Sequence, residues 1–185
     1  MQNLGEELVG EYLKWCRGCE FIEYNLTLRD VQGEVDVIGL NIANHEVYVC
    51  EVAIHLQTGL QYVNGKTKRP DNVGRLTSKF SKDYKYVQKY FRGWSTKLMF
   101  WSPVIKNQKV TSKSNQKRDL EEIRKNIKKE FGVEVEMIIS EKFQACLDEL
   151  RRVAKSKTQE LKSPVMRMLQ IEESLKRHLE NAIKN

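Results

Sequence analysis

The sequence predicts an α/β protein with a mixed central β-sheet flanked by helices. Three observations lead there. Five segments carry apolar residues at helical spacing, and five shorter ones alternate or run continuously apolar. The two kinds follow the order α-β-β-β-α-β-α-β-α-α. The second and third strand segments are separated only by "NIANH", which marks an antiparallel hairpin. A chain of 185 residues is long enough for one domain with a real core.

Each element has a local reason. Over residues 3–17, Leu4, Leu8, Val9, Tyr12, Leu13 and Cys16 share one helical face, and Gly18 stops the helix. "EFIEYNLTL" (20–28) alternates as a first strand; "GEVDVIGL" (33–40) and "EVYVCEVAIHL" (46–56) follow. "QTGLQYVNGKTKRPDN" (57–72) reads as a loop or irregular excursion. Residues 73–91 form a basic helix, 97–105 a buried-type strand, and 106–117 a polar, basic loop with the character of a mobile one. Asp119 and Glu122 make a capping box for a helix whose apolar face is Leu120, Ile123, Ile127 and Phe131, ended by Gly132. A strand over 133–140 precedes a helix marked by Phe143, Leu147, Leu150 and Ala154. Ser163 as cap and Pro164 at the first position open the last helix. Its row Leu161, Val165, Met168, Ile171, Leu175, Leu179 and Ala182 is expected to dock on its own domain, with a homodimer contact as the alternative.

Composition narrows the class. With 40% hydrophobic and 31% charged residues the chain reads as soluble and globular rather than disordered. No apolar run reaches the ~18 residues of a membrane span, and no secretory signal is expected. Cys50 and Cys146 sit in apolar periodic segments and read as buried thiols. Cys16 and Cys19 form the only CxxC; with no second pair nearby, helix-end packing outweighs zinc or redox chemistry. A reduced, cytoplasmic protein follows.

The net charge of +7 is unevenly spread. Residues 61–118 hold 15 Lys and Arg against two acids, a net of +13, while the other 127 residues carry −6. Such local charge attracts polyanions, because neutralising phosphates releases counterions. Tyr84, Tyr86, Tyr90, Phe91 and Trp94 interleave with the cations, which favours nucleic-acid binding over a solvated helix with its aromatics in the core.

Chemistry concentrates on the hairpin. Side chains alternate faces along a strand. Glu51, Ala53 and His55 share one side, and Tyr48, Cys50, Val52 and Ile54 share the other, more plainly core-facing side. Asp36 interrupts the apolar run of the preceding strand. Two carboxylates on paired strands repel unless a cation lies between them, and oxygen ligands of this kind suit Mg²⁺ or Mn²⁺.

"GEVDVIG…VYVCEVA" resembles the core motif of the PD-(D/E)xK nuclease superfamily, nearest the small bacterial proteins related to archaeal Holliday-junction resolvases. That subgroup opens with a helix similar to "GEELVGEYL" (5–13), places Asn in the first strand (Asn25), and follows the motif with a lysine-spaced helix similar to "KFSKDYKYVQKYF" (79–91). The resemblance spans about residues 5–105. It implies a restriction-endonuclease-like core over 1–105, an α/β extension of the same domain over 106–160 and a C-terminal helix over 161–185. Asp36 and Glu51 would be the metal ligands, joined by the Val52 carbonyl. Glu6 would be the accessory acid, with Glu7 as its competitor.

The departure is Ala53, where the family has lysine. Lys79 on the following helix, or His55 helped by Gln57, would supply the missing cation or base. Nucleic acid, in the first place DNA, would be bound by Lys66, Lys68, Arg69, Arg75, Lys79, Lys82 and Lys113. Two functions stand open: a metal-dependent endonuclease, and a nuclease-like module that binds nucleic acid or a protein without cutting.

Overall fold

A computed structural model describes residues 3–30, 32–106, 109, 111 and 115–184. The elements are α1 (Leu4–Cys16), β1 (Phe21–Thr27), β2 (Glu34–Asn41), β3 (Glu46–Val52), α2 (Asn72–Tyr90), β4 (Ser95–Ser102), α3 (Gln116–Phe131), β5 (Val135–Ile139), α4 (Ser140–Ser156) and α5 (Pro164–Lys184). The strands form one five-stranded sheet in the order β1-β2-β3-β4-β5. The first three are antiparallel neighbours, and β3, β4 and β5 run parallel. The sheet is mixed because a four-residue turn joins β2 to β3, whereas α2 and α3 carry the chain back between the parallel strands.

Helices cover both faces. Val9 and Leu13 of α1, Phe143 and Leu150 of α4, and Met166 and Leu169 of α5 pack against Cys50, Met99, Trp101 and Ile138. Leu76 and Phe80 of α2 and Ile123 and Ile127 of α3 pack on the other side against Val47, Val49, Leu98 and Phe100. Trp101 is fully buried, with Tyr12 and Phe143 edge-on to its ring at 5.1 and 5.9 Å. No helix among the described residues is long and apolar enough to cross a membrane.

Four local expectations change. The third strand stops at Val52 rather than at Leu56, because the chain turns over 56–58 and the Gly59 N–H donates to the His55 carbonyl at 3.1 Å. Both faces of β3 are buried, so the side carrying Glu51 is a second core under α2 and not an open surface. Residues 57–71 form a loop, as expected. Within it Val63 and Pro70 form an antiparallel bridge, and the Asn64 side chain accepts from the N–H groups of Lys66 and Thr67, closing a compact turn.

α3 starts earlier than expected: Asn115, not Asp119, is its cap, accepting from the Arg118 N–H, while Asp119 accepts from the Asn72 side chain. α5 docks through Val165, Met166 and Leu169. Met168, Ile171, Leu175 and Leu179 of the expected docking row are exposed, because the row that meets α4 lies one step round the helix.

α1 approaches the sheet closely at Gly10, where a Cβ would stand 2.6 Å from Cζ of Tyr24. Elsewhere in a helix, Gly→Ala gains up to about 1 kcal/mol. Here we expect Gly10→Ala to destabilise the protein by about 1–3 kcal/mol through overpacking, read as a lower urea midpoint at unchanged slope.

Candidate active site

The β2–β3 ladder runs from Asn41↔Glu46 to Val37↔Cys50 and stops there. The next residue on each strand is an acid, Asp36 and Glu51. β3 stays paired with β4 through Glu51↔Phe100 and Val52↔Trp101, so β2 is the strand that leaves. The Val52 N–H, which has lost its partner strand, donates to Asp36 Oδ2 at 2.7 Å. The parting of the strands thus leaves a cleft floored by two carboxylates, one partly buried and the other 0% exposed.

Lys79 of α2 closes this cleft. Its Nζ lies 2.8 Å from Asp36 Oδ1 and is also ion-paired with Glu51. Burial alone would push this ammonium down, but the charges of Glu51 and Asp36 outweigh it and hold it above the ordinary lysine range. Lys79 is therefore a fixed cation at neutral pH. Ala53, where a lysine of the resembled motif would stand, is 2% exposed and belongs to the core that includes Leu76 and Phe80 of α2. Its N–H donates to the Trp101 carbonyl at 2.8 Å.

Two members of the site were not expected from sequence. Asp83, one helical turn beyond Lys79, is 1% exposed and lies beside Glu51. Its signal was present: it is the single acid of α2. Burial, followed by the charge of Asp36, pushes Glu51 well up. Burial is likewise the main cause that pushes Asp83 up to about 6. Tyr62 is the second addition. Burial first, and then the nearby Glu51, raises its phenol, which lies within the field of Lys79 and Asp36. No motif marks it, since it comes from the turn segment before α2.

The other expected residues divide. Glu6 is buried, completes the capping box with Asn3, and accepts from Asn25 Nδ2 at 2.9 Å. Asn25 has φ +52° and stands opposite Asp36, between the pairs Tyr24↔Val37 and Leu26↔Val35. Glu7 is tied elsewhere: it accepts from Ser163 Oγ at 2.7 Å and from the Val165 N–H, and so caps α5. His55 and Gln57 are exposed beyond the end of β3. The pleat that would have aligned His55 with Glu51 ends at Val52, which removes the geometric ground for His55 as a base.

The basic residues are also sorted. Lys85, Lys89 and Lys97 pair with Glu130, Asp30 and Glu46. Lys66, Lys68, Arg69, Arg75 and Lys82 are exposed and pair with no acid among the described residues. Lys113 and half of the 106–117 loop lie outside the described residues. Tyr84, Tyr86, Phe91 and Trp94 are partly buried against the α2–α3 core, and the Tyr90 hydroxyl donates to Asp30. All four cysteines are free thiols, and only Cys16 is partly exposed.

The donor chemistry fits a hard divalent cation. The ligand atoms are oxygens, and neither Glu51 oxygen accepts a hydrogen bond from a backbone N–H or hydroxyl among the described residues. Lys79 already lies against both carboxylates. Among the described residues no three His, Cys, Asp or Glu side chains converge as a metal cage. An ion here would share the carboxylates with Lys79 and draw its remaining ligands from main-chain oxygen and water.

Asp83 binds its proton more tightly in the folded chain than at its ordinary value of 3.8. The stability tied to that proton is complete below about pH 4 and lost as the pH rises through about 6. Asp83→Asn keeps the shape and removes the titration. We expect it to flatten the fall in unfolding free energy across that window by about 1–3 kcal/mol, measured by urea denaturation at stepped pH.

A scan of protein-family models finds none that matches this chain, and a search of curated proteins finds no match.

Proposed function

We propose that the protein is a metal-dependent endonuclease of the PD-(D/E)xK kind, with a restriction-endonuclease-like core, that hydrolyses phosphodiester bonds in DNA. One observation carries this reading: the Lys79 ammonium reaches Asp36 and Glu51 from helix α2. The acid–acid–lysine trio that the motif requires is complete in space although Ala53 breaks it in sequence.

The roles follow from the chemistry of each group. Asp36, Glu51 and the Val52 carbonyl would hold Mg²⁺ or Mn²⁺, which would supply Lewis-acid polarisation of the scissile phosphate and the attacking water. Lys79, held protonated by its two neighbours, is unsuited to remove a proton. It can donate hydrogen bonds to the attacking water or to a phosphate oxygen and offset charge that develops in the transition state. Glu6 orients Asn25 beside Asp36. Arg75 and Lys82 lie one turn to either side along α2 and would take flanking phosphates, giving position and salt dependence rather than base readout.

A second reading keeps the fold and drops the chemistry. It is favoured by the same ammonium: Lys79 already neutralises the carboxylates, so the site persists without an ion. The protein would then bind nucleic acid, or a protein partner, without cutting it.

Cleavage of labelled linear, single-stranded, flapped and four-way-junction DNA in Mg²⁺, Mn²⁺ or EDTA separates the two. We expect cutting that needs the metal and falls at least about 100-fold in Asp36→Asn, Glu51→Gln and Lys79→Ala. His55→Ala is expected to stay within about twofold of the parent, since β3 ends before the side chain and leaves it exposed. Absence of cutting on every substrate, with salt-sensitive binding that survives EDTA, would establish the binding module instead.

A further inference from the structure

We infer that the strand presented to this site is unpaired, and that it crosses Tyr62 between two cavities; the inference rests on the nucleic-acid reading above and names the form of its substrate. Tyr62 is the wall common to both cavities.

The smaller cavity, about 250 Å³, lies between Leu28 at the end of β1 and the α2 face carrying Arg75, Lys79 and Lys82. Lys79 and Asp83 line it, so it opens onto the groups that meet Asp36 and Glu51. The larger cavity, about 840 Å³, has Gln57, Gln61 and Lys106 in its wall. All three are exposed. Its floor is rigid: Gln116, buried at its centre, accepts from the N–H groups of Leu60 and Lys106 and donates to the carbonyls of Thr58 and Leu60.

These walls have the chemistry of a single-strand track. Arg75 and Lys82 offer cations to phosphates on the reactive side. Gln57 and Gln61 offer amides that can both donate to and accept from base edges on the other. The Tyr62 ring between them offers a surface on which a base can stack, which favours unpaired strands with little regard to sequence. Neither cavity can receive a base from an intact duplex without unstacking it first. The interleaved aromatics of α2 cannot take this role, since none of them lines either cavity.

Fluorescence anisotropy in EDTA, where no cutting occurs, would compare oligothymidylate, oligouridylate and a blunt duplex of equal length. We expect at least one single strand to bind about tenfold or more tighter than the duplex; the better of the two identifies the sugar. Tyr62→Ala is expected to weaken single-strand binding about tenfold and leave duplex binding unchanged, while Tyr62→Phe keeps the parent affinity. If Tyr62→Ala loses cooperative unfolding, the exposed Arg75→Ala and Gln61→Ala take its place, each expected to weaken the single strand selectively. Duplex bound as tightly as either strand, or variants that weaken all ligands alike, would overturn the inference. Metal-dependent cutting without single-strand preference would sink this inference and leave the nuclease reading intact. Single-strand preference without cutting would do the reverse.

Discussion

The Lys79 ammonium between the carboxylates of Asp36 and Glu51 is the contact on which the α2 side of the molecule depends. Two acids cannot share the parting of a hairpin without a cation, and one of these is fully buried. That requirement fixes how α2 sits on the sheet. The face that presents Lys79 must also present Leu76, Phe80 and Asp83, and with Val87 these are the residues of the helix that become buried. The departure of β2 from β3 serves the same end. It removes one ladder hydrogen bond and transfers the freed Val52 N–H to Asp36, which both satisfies the donor and aims the carboxylate.

Charge in the cleft remains unbalanced. Three carboxyl groups, those of Asp36, Glu51 and Asp83, meet one lysine. The excess is absorbed by protonation, with burial pushing Glu51 and Asp83 up. Such a cluster costs stability at neutral pH. The positive charge outside it divides similarly. Part is spent on surface ion pairs such as Lys85–Glu130, worth little in water, and part stays unpaired on the 64–69 turn and along α2 beside the cleft.

Much of the architecture was legible because it is periodic. The order of elements, the hairpin and the chemistry-bearing acids can be read from alternation and from two carboxylates interrupting apolar runs. Lys79 was a candidate only through the resemblance of its helix to a lysine-spaced one; what could not be read was that its reach spans both acids, which depends on how α2 lies on the sheet. His55 loses its alignment with Glu51 for a physical reason: apolar alternation continues past Val52 in the sequence, but the ladder has ended there, and packing alone buries Ala53 and partly buries Ile54. Asp83 escaped because an acid within a basic helix looks like a solvated residue until its burial is known. The exposed row on α5 misled in the opposite way, since a strong apolar stripe does not say which of two adjacent rows meets the neighbouring helix.

The burial of Ala53 limits what can stand at that position. Its methyl group fills a place in the core beneath α2. A lysine at position 53 would have to enter that packed layer and meet a like charge already seated on Glu51. Strand and helix therefore cannot both deliver the cation, and packing decides between them before charge does.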